Sequence, residues 1–127
     1  MDKKMMAMGT SMLILKLLET EDMYGYQMIK ELEERSENIF SLKEGTLYPI
    51  LHNLEKDGYI EGFERVSETG RMRKYYHITK SGNKALEQKQ DEWSTFRGAV
   101  EKVLKTPAYE SAFIGLSKQA GRYRYGV

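Results

Sequence analysis

Leu47, Ile50, Leu51 and Leu54 recur at i, i+3, i+4 and i+7 and end just before Gly58. At 100° per residue these four gather on one face of a helix, while Thr46, Pro49, His52, Asn53 and Lys56 gather on the other. One side must pack and the other is free to touch something else. Gly58 is a C-terminal stop. The start of this helix stays open between two positions. Ser41-Leu42-Lys43-Glu44 has the S-x-x-E spacing of a capping box, but a start at Ser41 leaves Pro49 in the interior with a kink or a lost hydrogen bond. A start near Thr46 puts Pro49 in the tolerant first turn.

The flanking segments extend the pattern. Upstream, Thr10 or Ser11 caps a first helix through Met12, Leu13, Ile14, Leu15, Leu17 and Leu18, whose apolar residues wrap most of its circumference. A second helix follows Asp22, with Tyr24, Met28, Ile29 and Leu32 inward and Lys30, Glu31, Glu33, Glu34 and Arg35 outward, and exits over 36–40. Downstream, Tyr59–Val66 and Met72–Thr79 are rich in aromatic and β-branched residues and flank Ser67-Glu68-Thr69-Gly70-Arg71, which predicts a hairpin with a polar tip. From Thr79 a long polar helix runs to about Lys105, roughly 40 Å at 1.5 Å per residue. Its apolar residues Leu86, Trp93, Phe96, Val100 and Val103 repeat near heptad spacing, with Lys89 interrupting the seam, so a partner helix is the natural cover.

The fold class expected is therefore mainly α with a β-hairpin: a winged helix-turn-helix over 1–79, a dimerisation helix over 80–106 and a tail over 107–127. In that tail Thr106-Pro107 reads as a fresh helix start and Tyr109, Phe113, Ile114 and Leu116 as a short amphipathic face. A chain of 127 residues is of single-domain size, and no apolar run reaches the roughly 18 residues of a membrane span. Neither a membrane nor a secretory signal is expected, and the expected location is the cytoplasm. The absence of cysteine excludes disulfide frameworks, thiolate metal sites and cysteine nucleophiles. His52 and His77 stand on different elements and no phosphate-cradling glycine loop occurs, so neither a catalytic site, a metal nor a cofactor is expected.

A helix-turn-helix followed by a wing points to duplex DNA, the alternative being a winged-helix interaction module whose recognition face meets a protein. The whole chain carries only +1, from 20 Lys plus Arg against 19 Asp plus Glu, so any basic surface must be local. Arg71, Arg73, Lys74, Lys80 and Lys84 occur with no acid between the first and the last of them. Alone, that run fits a solvated surface as well as a phosphate-binding one; the helix-turn-helix beside it favours DNA.

Three motifs in order then carry a resemblance: Tyr24-Gly25-Tyr26, the segment from Glu44-Gly45-Thr46-Leu47-Tyr48-Pro49 to Gly58, and Gly70-Arg71-Met72-Arg73-Lys74-Tyr75-Tyr76-His77-Ile78-Thr79-Lys80-Ser81-Gly82. Together they resemble the PadR family of bacterial transcriptional regulators over roughly Met8 to Lys105, and the single long last helix is similar to its small, multidrug-responsive members. The resemblance implies a homodimeric winged-helix repressor on a double-stranded DNA operator. By matching position it implies that Thr46, Tyr48, Pro49, His52, Asn53 and Lys56 approach the major groove, with Arg71, Arg73 and Lys74 holding the wing to DNA. Tyr48 borders the apolar face and fits core packing nearly as well, whereas a projecting wing gives Arg71 and Arg73 little else to do. Trp93 resembles the tryptophan with which small PadR regulators stack flat drug-like molecules. On that likeness Met8, Met12, Leu86, Glu92, Trp93, Phe96 and Val100 form a dimer seam that can also receive a small planar effector, though Trp93 fits simple seam packing equally well.

Overall fold

Side-chain packing along one face of each helix leaves a three-stranded sheet to close the other side of the core. The computed structural model describes the backbone of residues 3–105 and the side chains of residues 9–105. Its elements are α1 (Lys3–Thr20), β1 (Met23–Tyr24), α2 (Gly25–Arg35), α3 (Glu44–Lys56), β2 (Ile60–Val66), β3 (Met72–Ile78) and α4 (Lys80–Leu104). This is a winged helix-turn-helix followed by a long helix, mainly α with one small sheet. The described residues fall into two units, one ending at Gln90 and the other beginning at Asp91. No helix among them is long and apolar enough to cross a membrane.

The sheet is antiparallel with the order β1-β3-β2. Met23 and Tyr24 pair with Tyr76 and Tyr75, and Ile60 to Val66 pair in register with Ile78 to Met72. The core collects Ile14, Leu15, Leu17 and Leu18 of α1, Met28 and Leu32 of α2, Leu47, Leu51 and Leu54 of α3, Ile60, Tyr76 and Ile78 of the sheet, and Leu86 of α4. Leu42, in the turn between α2 and α3, joins it.

Local chemistry sets the element ends. α2 stops at Ser36, whose hydroxyl donates to the Leu32 carbonyl, and Glu37 and Asn38 turn the chain through left-handed φ values of 52° and 70°. α3 ends in a Schellman motif: Gly58, at φ 81°, donates to the Glu55 carbonyl and Tyr59 donates to the Leu54 carbonyl. Thr79 then joins two elements. Its backbone N–H donates to the Tyr59 carbonyl, its hydroxyl donates to the Gly58 carbonyl at 2.7 Å, and the same oxygen accepts the Gly82 N–H at 3.0 Å as the cap of α4. The exit of α3 and the entry of α4 are held by one side chain.

Several sequence expectations change. α1 begins at Lys3 rather than at Thr10 or Ser11, because Met5, Ala7 and Met8 continue the helix; Thr10 lies buried inside it. Tyr24 is not an inward residue of α2 but half of the two-residue strand β1. α3 starts at Glu44, with Lys43 as an N-cap that makes no side-chain capping bond. The expected capping box fails because Ser41 instead donates to Glu33 Oε2 at 3.2 Å, back on α2, while its neighbour Leu42 is drawn into the core. Pro49 thus sits inside α3, where the Gly45 carbonyl lacks the N–H of an ordinary residue four positions on.

Candidate nucleic-acid interface

α3 has the two faces that its spacing requires. Leu47, Leu51 and Leu54 are buried and Ile50 is half-buried against the core, whereas Thr46, Pro49, His52, Asn53 and Lys56 are all exposed. Tyr48 joins the exposed group at 43%. Its ring lies over the first turn of α2, so close that a Cβ on Gly25 would stand 2.5 Å from the hydroxyl oxygen and 2.9 Å from Cζ. Gly25 is what lets the ring rest there. Tyr48 therefore packs on α2 at one edge and is open to solvent at the other.

Beside α3 stands the wing. Its tip is closed by hydrogen bonds from the Ser67 N–H to the Arg71 carbonyl and from the Gly70 N–H to the Ser67 carbonyl, with Gly70 at φ 86°. Arg71 is exposed at this tip. Lys74 lies on the strand face that meets α3, where its Nζ is 3.6 Å from Glu55 Oε1 and 5.3 Å from the Tyr76 ring centre. Glu55 Oε2 accepts the Gly62 N–H at 3.2 Å, so one carboxylate of α3 reaches both strands of the hairpin. A Cβ at position 62 would meet the far end of the Lys74 chain, which would have to move aside. Burial pushes the Tyr76 phenol above its ordinary range, with the Lys74 ammonium pulling the other way.

On the opposite face of the sheet Arg73 has a partner of its own, contrary to the expectation that it had little else to do. Its guanidinium carbon sits 4.5 Å from the centre of the Tyr24 ring. Arg65, which the sequence did not single out, lies 3.9 Å over the Tyr75 ring. Tyr24 and Tyr75 meet edge to face at 5.3 Å, Phe63 stacks on Tyr75 at 6.1 Å, and Tyr75 is 4% exposed despite lying outside the main core. The one signal for Arg65 in the sequence is its strand parity with Phe63, which becomes informative only once the Arg65–Arg73 register is known.

The basic run from Arg71 to Lys84 is thus divided among several surfaces. Arg71 is at the tip, Arg73 on the outer face and Lys74 on the inner one; Lys80 and Lys84 flank a shallow recess on the first turns of α4 that Glu19 and Glu87 also line. Among the residues expected in a dimer seam, Leu86 is 1% exposed and belongs to the core of its own chain, which corrects its place in that row. Met12 is half-buried against the same core, and the Met8 side chain lies outside the described residues. Glu92, Trp93, Phe96 and Val100 are exposed on α4, with Trp93 and Phe96 rings 6.1 Å apart. Among the described residues no group of three or more acids and histidines is arranged to hold a metal ion.

Comparisons with known proteins agree with this architecture. A sequence profile of the transcriptional regulator PadR-like family matches residues 14–88, from the buried face of α1 to the first turns of α4. A transcriptional regulator from Clostridium thermocellum is 34% identical and superposes with a TM-score of 0.74, over 81% of this chain and 100% of that one. A PadR-like regulator from Bacillus cereus is 31% identical with a TM-score of 0.73, over 81% and 98%. A transcriptional regulator of Mycobacterium tuberculosis is 43% identical over 54 residues, 42% of this chain and 50% of that protein.

Proposed function

Because this chain belongs to the PadR-like family of transcriptional regulators, we propose that it is a homodimeric repressor whose α3 enters the major groove of duplex DNA while the β2–β3 wing grips the backbone or minor groove. The observation that carries the reading is the single bare polar face of α3 beside the hairpin. A helix of that kind fits the major groove, where side chains divide into base readers and phosphate anchors. His52 and Asn53, near the middle of the face, have the donors and acceptors that base edges require. Thr46, Tyr48, Pro49 and Lys56 flank them, and Arg71, Arg73 and Lys74 supply backbone contacts from the wing.

The proposed dimer forms through α4, by covering Trp93, Phe96 and Val100, so that two α3 helices reach half-sites about one helical turn apart. A planar apolar or cationic effector stacks on Trp93 beside the Glu92 carboxylate, and its binding favours a dimer geometry with lower DNA affinity. The test is fluorescence anisotropy on a labelled duplex taken from upstream of the protein's own gene, against a scrambled duplex, over a salt series and then with planar cationic dyes. The expected result is preference for the upstream duplex that falls steeply with salt, with release by a dye that also quenches Trp93. Equal, weak and salt-insensitive binding to both duplexes would instead assign the bare face of α3 to a protein partner.

A further inference from the structure

Arg65 and Arg73 are direct cross-strand partners on the outer face of the wing. Like charges in that position repel, and a neutral or acidic residue opposite Arg73 would remove the repulsion. β2 does carry acids elsewhere, at Glu61 and Glu64, yet the residue facing Arg73 is a second arginine. Neither guanidinium has a carboxylate within ion-pair distance among the described residues. Each is instead held on a ring: Arg65 on Tyr75 and Arg73 on Tyr24, with the two rings themselves in edge-to-face contact. Arg73 Nε is buried with no hydrogen-bond partner, which leaves the terminal nitrogens of that side chain as its donors to a ligand. Stacking restricts both forks before any ligand arrives, and a planar fork donates two parallel hydrogen bonds to an oxyanion.

We infer that this pair is a phosphate clamp: one backbone phosphodiester of bound DNA lies between Arg65 and Arg73, which the register sets on opposed strand positions, with Tyr24 and Tyr75 as positioning residues that hold the two forks. The inference rests on the DNA-binding reading and adds to it a contact, at Arg65, and a purpose for the aromatic row beneath. β1 acquires a function from it as well. Two residues contribute little to a sheet, but they bring Tyr24 beneath Arg73.

The test is the salt dependence of binding to a random-sequence duplex, which needs no knowledge of the operator because phosphate contacts are independent of sequence. Wild type should show a steep slope of log affinity against log salt. Arg65→Gln, an exposed change, should lower that slope by about one per protomer. Tyr24→Phe should keep the wild-type slope and affinity, because the ring remains, while Tyr24→Leu should weaken binding with both arginines still present. A wild-type slope in Arg65→Gln would overturn the clamp and leave the DNA reading standing; a flat slope for wild type itself would overturn that reading. A further arm adds inorganic phosphate at constant ionic strength. Displacement of the duplex that disappears in Arg65→Gln would support the clamp, because free phosphate then competes for the site that a backbone phosphate of the duplex fills.

Discussion

Gly25 shows how a single missing atom shapes the candidate interface. Any side chain there meets the Tyr48 ring, so Gly25→Ala must displace Tyr48 or open the contact between α2 and α3. Overpacking costs typically 1–3 kcal/mol, offset in part by the better helix propensity of alanine, so a net loss of about 1 kcal/mol is expected in urea unfolding. In a Tyr48→Ala background the same change should cost little, and a double-mutant cycle with a coupling near zero would refute the contact. The Tyr24-Gly25-Tyr26 motif was visible in the sequence, but its reason was not: it depends on a ring supplied from 23 residues further on. Arg65 was hidden for a similar reason. One arginine in a strand that also holds Glu61 and Glu64 looks like ordinary surface charge until register places it opposite Arg73.

At the scale of elements, periodicity was a sound guide wherever an element was long enough to have a period. The two faces of α3, the hairpin and its tip, and the exit of α2 all follow from spacing and turn residues. β1 has two residues and no period, so nothing in the spacing separates Tyr24 from the neighbouring helix. A heptad row says that a face is apolar without saying what covers it, and Leu86, in register with that row, fills the core. The S-x-x-E box was overridden by tertiary contacts, since Ser41 finds a partner on α2. What couples α3 to the wing is also tertiary: Glu55 accepts from Gly62 and pairs with Lys74. Glu55→Gln keeps an acceptor for the Gly62 N–H and loses only an exposed ion pair, so it should cost about 0.5 kcal/mol. Glu55→Ala loses both and should cost roughly 1–2 kcal/mol in thermal or urea unfolding. Equal stability of the two variants would show that the hydrogen bond to β2 contributes nothing.

For the molecule as a whole, a net charge of +1 means that DNA binding cannot rest on a uniform cationic coat. It has to come from placement: a bare polar face on α3, Arg71 at a closed tip, and Arg65 with Arg73 stacked on the outer face of the wing. On the proposed reading the labour is divided, the wing supplying affinity that any sequence can satisfy and α3 supplying discrimination. The measurement that tests this most directly is the ratio of affinities for the upstream duplex and its scramble, in wild type and in a His52→Ala/Asn53→Ala variant at fixed salt. Losing base contacts costs on the order of 1–3 kcal/mol each, so the ratio should fall by tenfold or more while binding to the scrambled duplex stays near the wild-type level. A variant that keeps the full wild-type ratio would contradict the assignment of α3 as the reading helix.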